Sequence, residues 1–293
     1  MRALAQRPPQ GILQRSADKV GNGAELVGDA LRGLASGFRK RNPFNARSYP
    51  VPQIPAGQRV YAIGDIHGCL SLYEELLTLI ERDDRERGPA RTTVVQLGDL
   101  IDRGPDSAGV VALAMTPLSF AETITLKGNH EAAMLASLEG NTKLLDVWLS
   151  NGGYSALKSW KIDPRRFQEL DAQAIVELIS AEIPAEQLAW LRELPLSHQF
   201  GDFYFVHAGV RPNVPLAEQR EVDCLWIRDE FLDSKKYHGA FVVHGHSVTD
   251  EVEERPNRLG IDTGAYITGR LTALCLEGAE RWRLQTKGQL DIQ

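Results

Sequence analysis

Cysteine is scarce in this chain. Its three cysteines, Cys69, Cys224 and Cys275, are an odd number, widely spaced and without a CxxC pair. That excludes a disulfide scaffold and a zinc knuckle, and it leaves any metal to His, Asp and Asn. Long apolar runs are missing as well. Arg2, Arg7, Pro8, Pro9 and Arg15 interrupt every candidate signal-peptide core, and no later stretch approaches the length of a membrane span. No transmembrane segment and a cytoplasmic location are therefore expected. Neither internal repeats nor low-complexity tracts occur, and 43% hydrophobic with 7% aromatic residues is the composition of an ordinary globular protein.

Basic residues are short where a grip on nucleic acid would need them. The chain has 33 Lys/Arg against 39 Asp/Glu, a net charge of -6. Residues 1–59 hold ten Lys/Arg and three Asp/Glu, so they are +7, and residues 60–293 are -13. Phosphate backbones are held by basic surfaces, so an acidic body excludes dedicated nucleic-acid binding there. The oligomeric state is left open.

What is present divides the chain in two. Residues 1–58 mix Pro, Gly, Arg and Asn and end in PFNARSYPVPQIPAG, which reads as a basic arm and linker. Within it Leu26, Val27, Ala30, Leu31, Leu34 and Phe38 form a helical stripe able to dock on the body or on a partner. From Arg59 short β-rich runs alternate with helical periodicity, the pattern of an α/β layered domain over 59–293. RVYAI, TTVVQL and TITLK are the first three expected strands, with FYFV, AFVV, RLGID, RLTALCL and RWRLQ later. Residues 132–195 read as a helical insertion or cap.

Each of the first three strands runs into a glycine followed by polar residues: GDIHG, GDLIDRG and GNHE. Open α/β folds gather ligand groups at the carboxyl ends of their strands. That edge collects Asp65, His67, Asp99, Asp102, Arg103, Asn129, His130, His207, His244 and His246, and five of the seven histidines fall in these strand ends. Carboxylate and amide oxygens with imidazole nitrogens and no thiolate suit hard or borderline divalent ions. A strand-ending turn uses Gly, Asp and Asn for conformational reasons alone. Five such segments in one order exceed what that explains.

GDIHG, GDLIDRG, GNHE, HAG and GHS, in that order, resemble the phosphoprotein phosphatase family of calcineurin-like metallophosphoesterases, in its bacterial and phage-type form, over residues 60 to 270. The resemblance implies a four-layer fold, a β-sandwich of two mixed sheets flanked by helices, with two divalent metal ions at one sheet edge. One ion would be held by Asp65, His67 and bridging Asp99, the other by Asp99, Asn129, His207 and His246. His130 with Asp102 would be the acid pair, and Arg103 and Arg228 would hold the phosphate. A water shared by the ions would attack the ester directly. Manganese is the expected activator, and iron or zinc also fits the ligands. The chain departs from the family in having GHS-Val rather than GHT-Pro, and in a preceding His244 that competes with His246 as ligand; His246, after the strand-ending glycine, is the preferred one.

Three functions follow. The first is hydrolysis of phosphoserine and phosphothreonine in proteins. The second is hydrolysis of dinucleoside polyphosphates, which the same site supports in related bacterial proteins. The third, a non-catalytic metal-binding module, is disfavoured because binding alone requires neither Asp102 and His130 nor two arginines. Cys69 reads as a small buried residue at a helix start rather than a redox sensor, and Asp262 as a strand end near the site without a catalytic part.

Overall fold

The computed structural model describes residues 51–287. The Leu26–Phe38 stripe lies outside the described residues. Ten strands form two sheets. They are β1 (Gln58–Ile63), β2 (Arg91–Gln96), β3 (Glu122–Thr125), β4 (Ser197–Phe200), β5 (Phe203–Val206), β6 (Phe241–His244), β7 (Glu253–Glu254), β8 (Arg258–Gly260), β9 (Thr272–Glu277) and β10 (Glu280–Gln285). The first sheet runs β10-β9-β1-β2-β3 and the second β4-β5-β6-β8-β7. In the first sheet β1, β2 and β3 are parallel, with β3 at one edge, and β9 and β10 add antiparallel at the other; in the second the central β5, β6 and β8 are parallel, and antiparallel β4 and β7 close the edges.

Alternation along the strands builds the layers, because successive side chains point to opposite faces. Val60 and Ala62 of β1 join Phe203, Phe205, Val243, Leu274 and Leu276 in a core between the sheets. Tyr61 and Ile63 face the other way, into a second core with the helices. The second sheet repeats the device, with Tyr204, Val206 and Val242 on its outer face. Helix, sheet, sheet and helix are thus stacked in four layers, the α/β sandwich that the resemblance implies.

The helices that matter for the site start at the strand ends. They are α1 (Leu70–Arg87) after β1, α2 (Ser107–Ala114) after β2 and α3 (Asn129–Leu138) after β3. Leu72, Tyr73, Leu76, Leu77 and Ile80 make the buried stripe of α1 at the expected helical spacing. Between β3 and β4 the chain is helical, through α4 (Thr142–Trp148), α5 (Tyr154–Ser159), α6 (Ala172–Glu182) and α7 (Ala185–Arg192). Short helices α8 (Glu221–Trp226) and α9 (Asp229–Leu232) follow β5, and α10 (Ala265–Thr268) follows β8.

Two details correct the sequence reading. Packing starts earlier than residue 58: Ile54 is buried and its amide donates to Gly278 O at 2.9 Å. The linker stretch before it therefore ends sooner than its Pro-rich composition suggests. The edge strands β4 and β7 carry SHQF and EE, without the alternating buried pattern that marks a strand in sequence. Among the described residues no helix is long and apolar enough to cross a membrane.

Candidate metal centre

The loops after β1, β2, β3, β5 and β6 converge at one edge of the sandwich. Their backbone is unusual. Of seven non-glycine residues with positive φ among the described ones, five lie here: His67, Asp99, Asp102, Arg103 and His246. Left-handed backbone at non-glycine residues is costly and persists only where the surroundings enforce it.

Glu131 supplies much of that enforcement. Fully buried on the first turn of α3, it accepts the Gly128 amide at 2.8 Å, Asp99 at 3.0 Å, Leu100 at 2.8 Å and Ile101 at 3.2 Å. One carboxylate thus ties the GDLID loop to the helix start of GNHE, with Glu131 at N3 accepting the amide of the N-cap Gly128. Burial and the charge of Asp99 push its carboxyl up to about 7, against those four donated N–H groups. At Gly128 a Cβ would collide with the Asp99 amide and carboxylate, so glycine is required for the close approach.

Asp99 lies at the centre, with its two oxygens turned to opposite sides. Oδ2 is 3.5 Å from His67 Nε2 and Oδ1 is 3.5 Å from His207 Nε2. Two groups of potential ligands share it: His67, Asp99 and His130, and Asp99, His207 and His246. Burial would raise Asp99, but the His207, His130 and His67 rings outweigh it and hold the carboxyl far below its usual value. Burial lowers the histidines: His67 to about 3, His246 to about 2, and His207 in the same direction. All three are neutral, as metal ligation requires.

Ring orientation is fixed from behind. His67 Nδ1 donates to Ile101 O at 2.9 Å and His207 Nδ1 to Leu97 O at 2.9 Å, which leaves both Nε2 lone pairs facing the site. Asn129 Oδ1 lies 2.8 Å from His207 Nε2 and 2.8 Å from His246 Nδ1, while His246 Nε2 is buried without a hydrogen-bond partner. Whichever way the amide is assigned, one buried nitrogen lacks a complementary partner. A divalent cation drawing on these lone pairs removes the mismatch, so the residues fit a metal.

Asp65 is buried at the same edge. Its oxygens accept the His246 amide at 3.2 and 3.0 Å, joining the first loop to the last. Burial, then the charges of Asp262 and Asp99, raise it well above a normal carboxyl. Asp262 is buried beside it, donated to by Gly264 N at 2.9 Å and pushed up to about 6 by burial. Three buried carboxyls so close together form a site that gains from a cation.

His130 Nδ1 is 2.6 Å from Asp102 Oδ2. Burial alone would lower the imidazole, but Asp99 and Asp102 outweigh it and hold it above its usual value. Burial raises Asp102, partly offset by its bonds from His130 and Trp148. Arg103 donates to His67 Nε2 at 2.7 Å, and its other terminal nitrogen lies 3.0 Å from His130 Nε2, with its guanidinium 4.7 Å from the Tyr266 ring. Arg228 lies across the site, exposed, its charge felt at His207 and His246.

His244 stands apart from both groups. It is buried, with Nε2 3.1 Å from the Arg258 guanidinium and its ring against Phe231. Cys69 is buried and its thiol is pushed up to about 12, so it carries no thiolate. Sequence reasoning missed Glu131, Tyr266 and the part of Trp148. Only Glu131 had a signal, a glutamate three residues after the strand-ending glycine at the head of α3.

Comparison with known proteins follows the same segments. The calcineurin-like phosphoesterase model matches residues 58–272. Serine/threonine-protein phosphatase 1 of Salmonella typhimurium is 31% identical over 220 residues, covering 73% of this chain and 90% of that protein. A symmetrical bis(5'-nucleosyl)-tetraphosphatase of Dechloromonas aromatica is 32% identical over 162 residues, which span 55% of this chain and only 48% of that protein. A crystal structure provisionally described as a diadenosine tetraphosphatase shares the fold, with a TM-score of 0.55 at 23% identity over 81% of this chain and 100% of the other.

Proposed function

The chain belongs to the calcineurin-like phosphoesterase family, and from that premise we propose that it is a metal-dependent phosphomonoesterase acting on phosphoserine and phosphothreonine in proteins. One observation carries the reading: two groups of potential ligands share Asp99, and His130, in the first of them, is paired with Asp102. The ligands we assign are Asp65, His67 and Asp99 on one side and Asp99, Asn129, His207 and His246 on the other. Two divalent ions held there supply water activation near neutral pH and charge neutralisation. Manganese is the proposed activator, and iron or zinc suits the same donors.

The chain's own groups do the rest. The Arg103 and Arg228 guanidinium forks meet the non-bridging phosphate oxygens, a planar match that lysine cannot offer. His130 faces the pocket through Nε2, while Asp102 fixes its Nδ1 edge and favours the imidazolium form. That form gives its proton to the departing serine or threonine oxygen. The acidic body excludes a grip on long nucleic acids, and we place the enzyme in the cytoplasm, with the basic arm ahead of its catalytic domain.

Length of match supports a protein substrate, since the serine/threonine phosphatase is covered over 90% of its length and the tetraphosphatase over 48%. Dinucleoside tetraphosphate hydrolysis is the second reading, supported by the 32% identity within that shorter match. Purified protein assayed side by side on a phosphoserine peptide and a dinucleoside tetraphosphate decides between them. The expected kcat/KM favours the peptide; a preference for the nucleotide reverses the substrate, and no turnover of either ester overturns the activity.

A further inference from the structure

Trp148 closes α4, in the helical stretch outside every motif described above, and it is fully buried. Its indole Nε1 lies 3.1 Å from Asp102 Oδ1 and 3.0 Å from Oδ2, so one N–H is shared by both oxygens of the carboxylate that faces His130. The chain then turns through Leu149–Gly153, where Gly152 has φ +123 and its carbonyl accepts the Arg103 amide at 3.3 Å. A Cβ on Gly152 would stand 2.6 Å from Arg103 N and 3.0 Å from Asp102 Cβ, so only glycine permits this approach.

Asp102 and Arg103 are consecutive residues with φ of 73° and 67°. Their strained backbone is held by Ser107 Oγ on the Asp102 amide at 2.9 Å and by the Gly152 carbonyl on the Arg103 amide. We propose that Trp148 and Gly152 form a clamp from the helical insertion onto Asp102 and Arg103, making Trp148 a positioning residue for protonation of the leaving group. The physical case is direct. A buried carboxylate can rotate about its last bond, and an indole N–H shared by both oxygens fixes the plane of the group and so the direction from which Oδ2 meets Nδ1. Trp is a donor only, so it leaves both oxygens as acceptors toward His130. The insertion thus belongs to the chemistry as well as covering it.

This inference rests on His130 acting as the acid, so the test separates the two. Trp148→Phe keeps a ring and removes the N–H; replacement by β-(3-benzothienyl)alanine keeps the indole shape and serves if Phe fails to fold. Each is compared with His130→Asn on p-nitrophenyl phosphate, whose leaving group needs no proton, and on a phosphoserine peptide, whose leaving group does. His130→Asn should lower peptide kcat by roughly 10² to 10⁴-fold. Loss of the Trp148 N–H should lower it by roughly 10 to 100-fold, the usual effect of removing a supporting hydrogen bond. Turnover of p-nitrophenyl phosphate and bound metal should change little. In the His130→Asn background the Trp148 change should add nothing. Equal losses on both esters after the Trp148 change, or a further loss in the double variant, overturns the clamp. Equal losses in His130→Asn itself overturn the acid assignment beneath it.

Discussion

Glu131 shows how one side chain sets the site. Its two oxygens receive four backbone N–H groups from both sides of the Asp99 loop. Glutamine has one oxygen and an NH2 that would face donors, so Glu131→Gln leaves buried amides unpaired, at about 1–3 kcal/mol each. The Asp99 backbone, left-handed at φ 49°, then relaxes. Metal affinity should fall by roughly 10 to 100-fold, as it does when outer partners of a ligand are lost. Titrating the metal-free variant with manganese measures it, and an affinity equal to that of the parent protein would remove Glu131 from this role. That His67, Asp99, His207 and His246 come together was legible, because donors ending successive strands meet at one edge. The parts of Glu131 and Trp148 were not, since Glu131 reaches amides 30 to 32 positions away and Trp148 a carboxylate 46 positions away, separations that no local pattern encodes. His244 was ambiguous for the same reason: its partner, the buried Arg258, is recognisable only once β6 and β8 are paired.

At the scale of elements, strands with alternating apolar residues stood out and strands without them did not. β1, β5 and β9 each feed two cores through alternate side chains, which is why they read as strands from composition. β4 and β7 are edge strands defined by pairing alone. The start of the folded body was blurred by Pro52 and Pro55, which look like linker residues, although Pro52 and Ile54 are buried and Ile54 bonds to the turn between β9 and β10. That anchor makes a prediction about truncation. Deletion of residues 1–50 leaves in place every metal-edge contact made among the described residues, so p-nitrophenyl phosphate turnover and metal content should stay near those of the full chain. Extending the deletion through Ile54 removes a core residue and should lower the melting temperature. A truncation at 50 that abolishes metal binding would show that the arm belongs to the catalytic body.

The whole molecule is two sheets that deliver ligands to a shared edge. The first sheet and its loops bring Asp65, His67, Asp99 and Asn129, while the second brings His207 and His246, so the second group of ligands exists only when both sheets are packed. Family membership follows from the chain as a whole, and the choice between phosphoprotein and dinucleoside tetraphosphate is made by loops around this edge, since fold does not fix substrate. What all readings share is Asp99 facing both halves, with one oxygen toward His67 and the other toward His207. The most direct measurement is the number of manganese ions bound per chain, with phosphopeptide turnover, in the parent protein and in Asp99→Asn. Two ions and turnover in the parent, with both lost in the variant, is the expected result. An Asp99→Asn protein that keeps its metal and turns over normally would contradict the shared-carboxylate site.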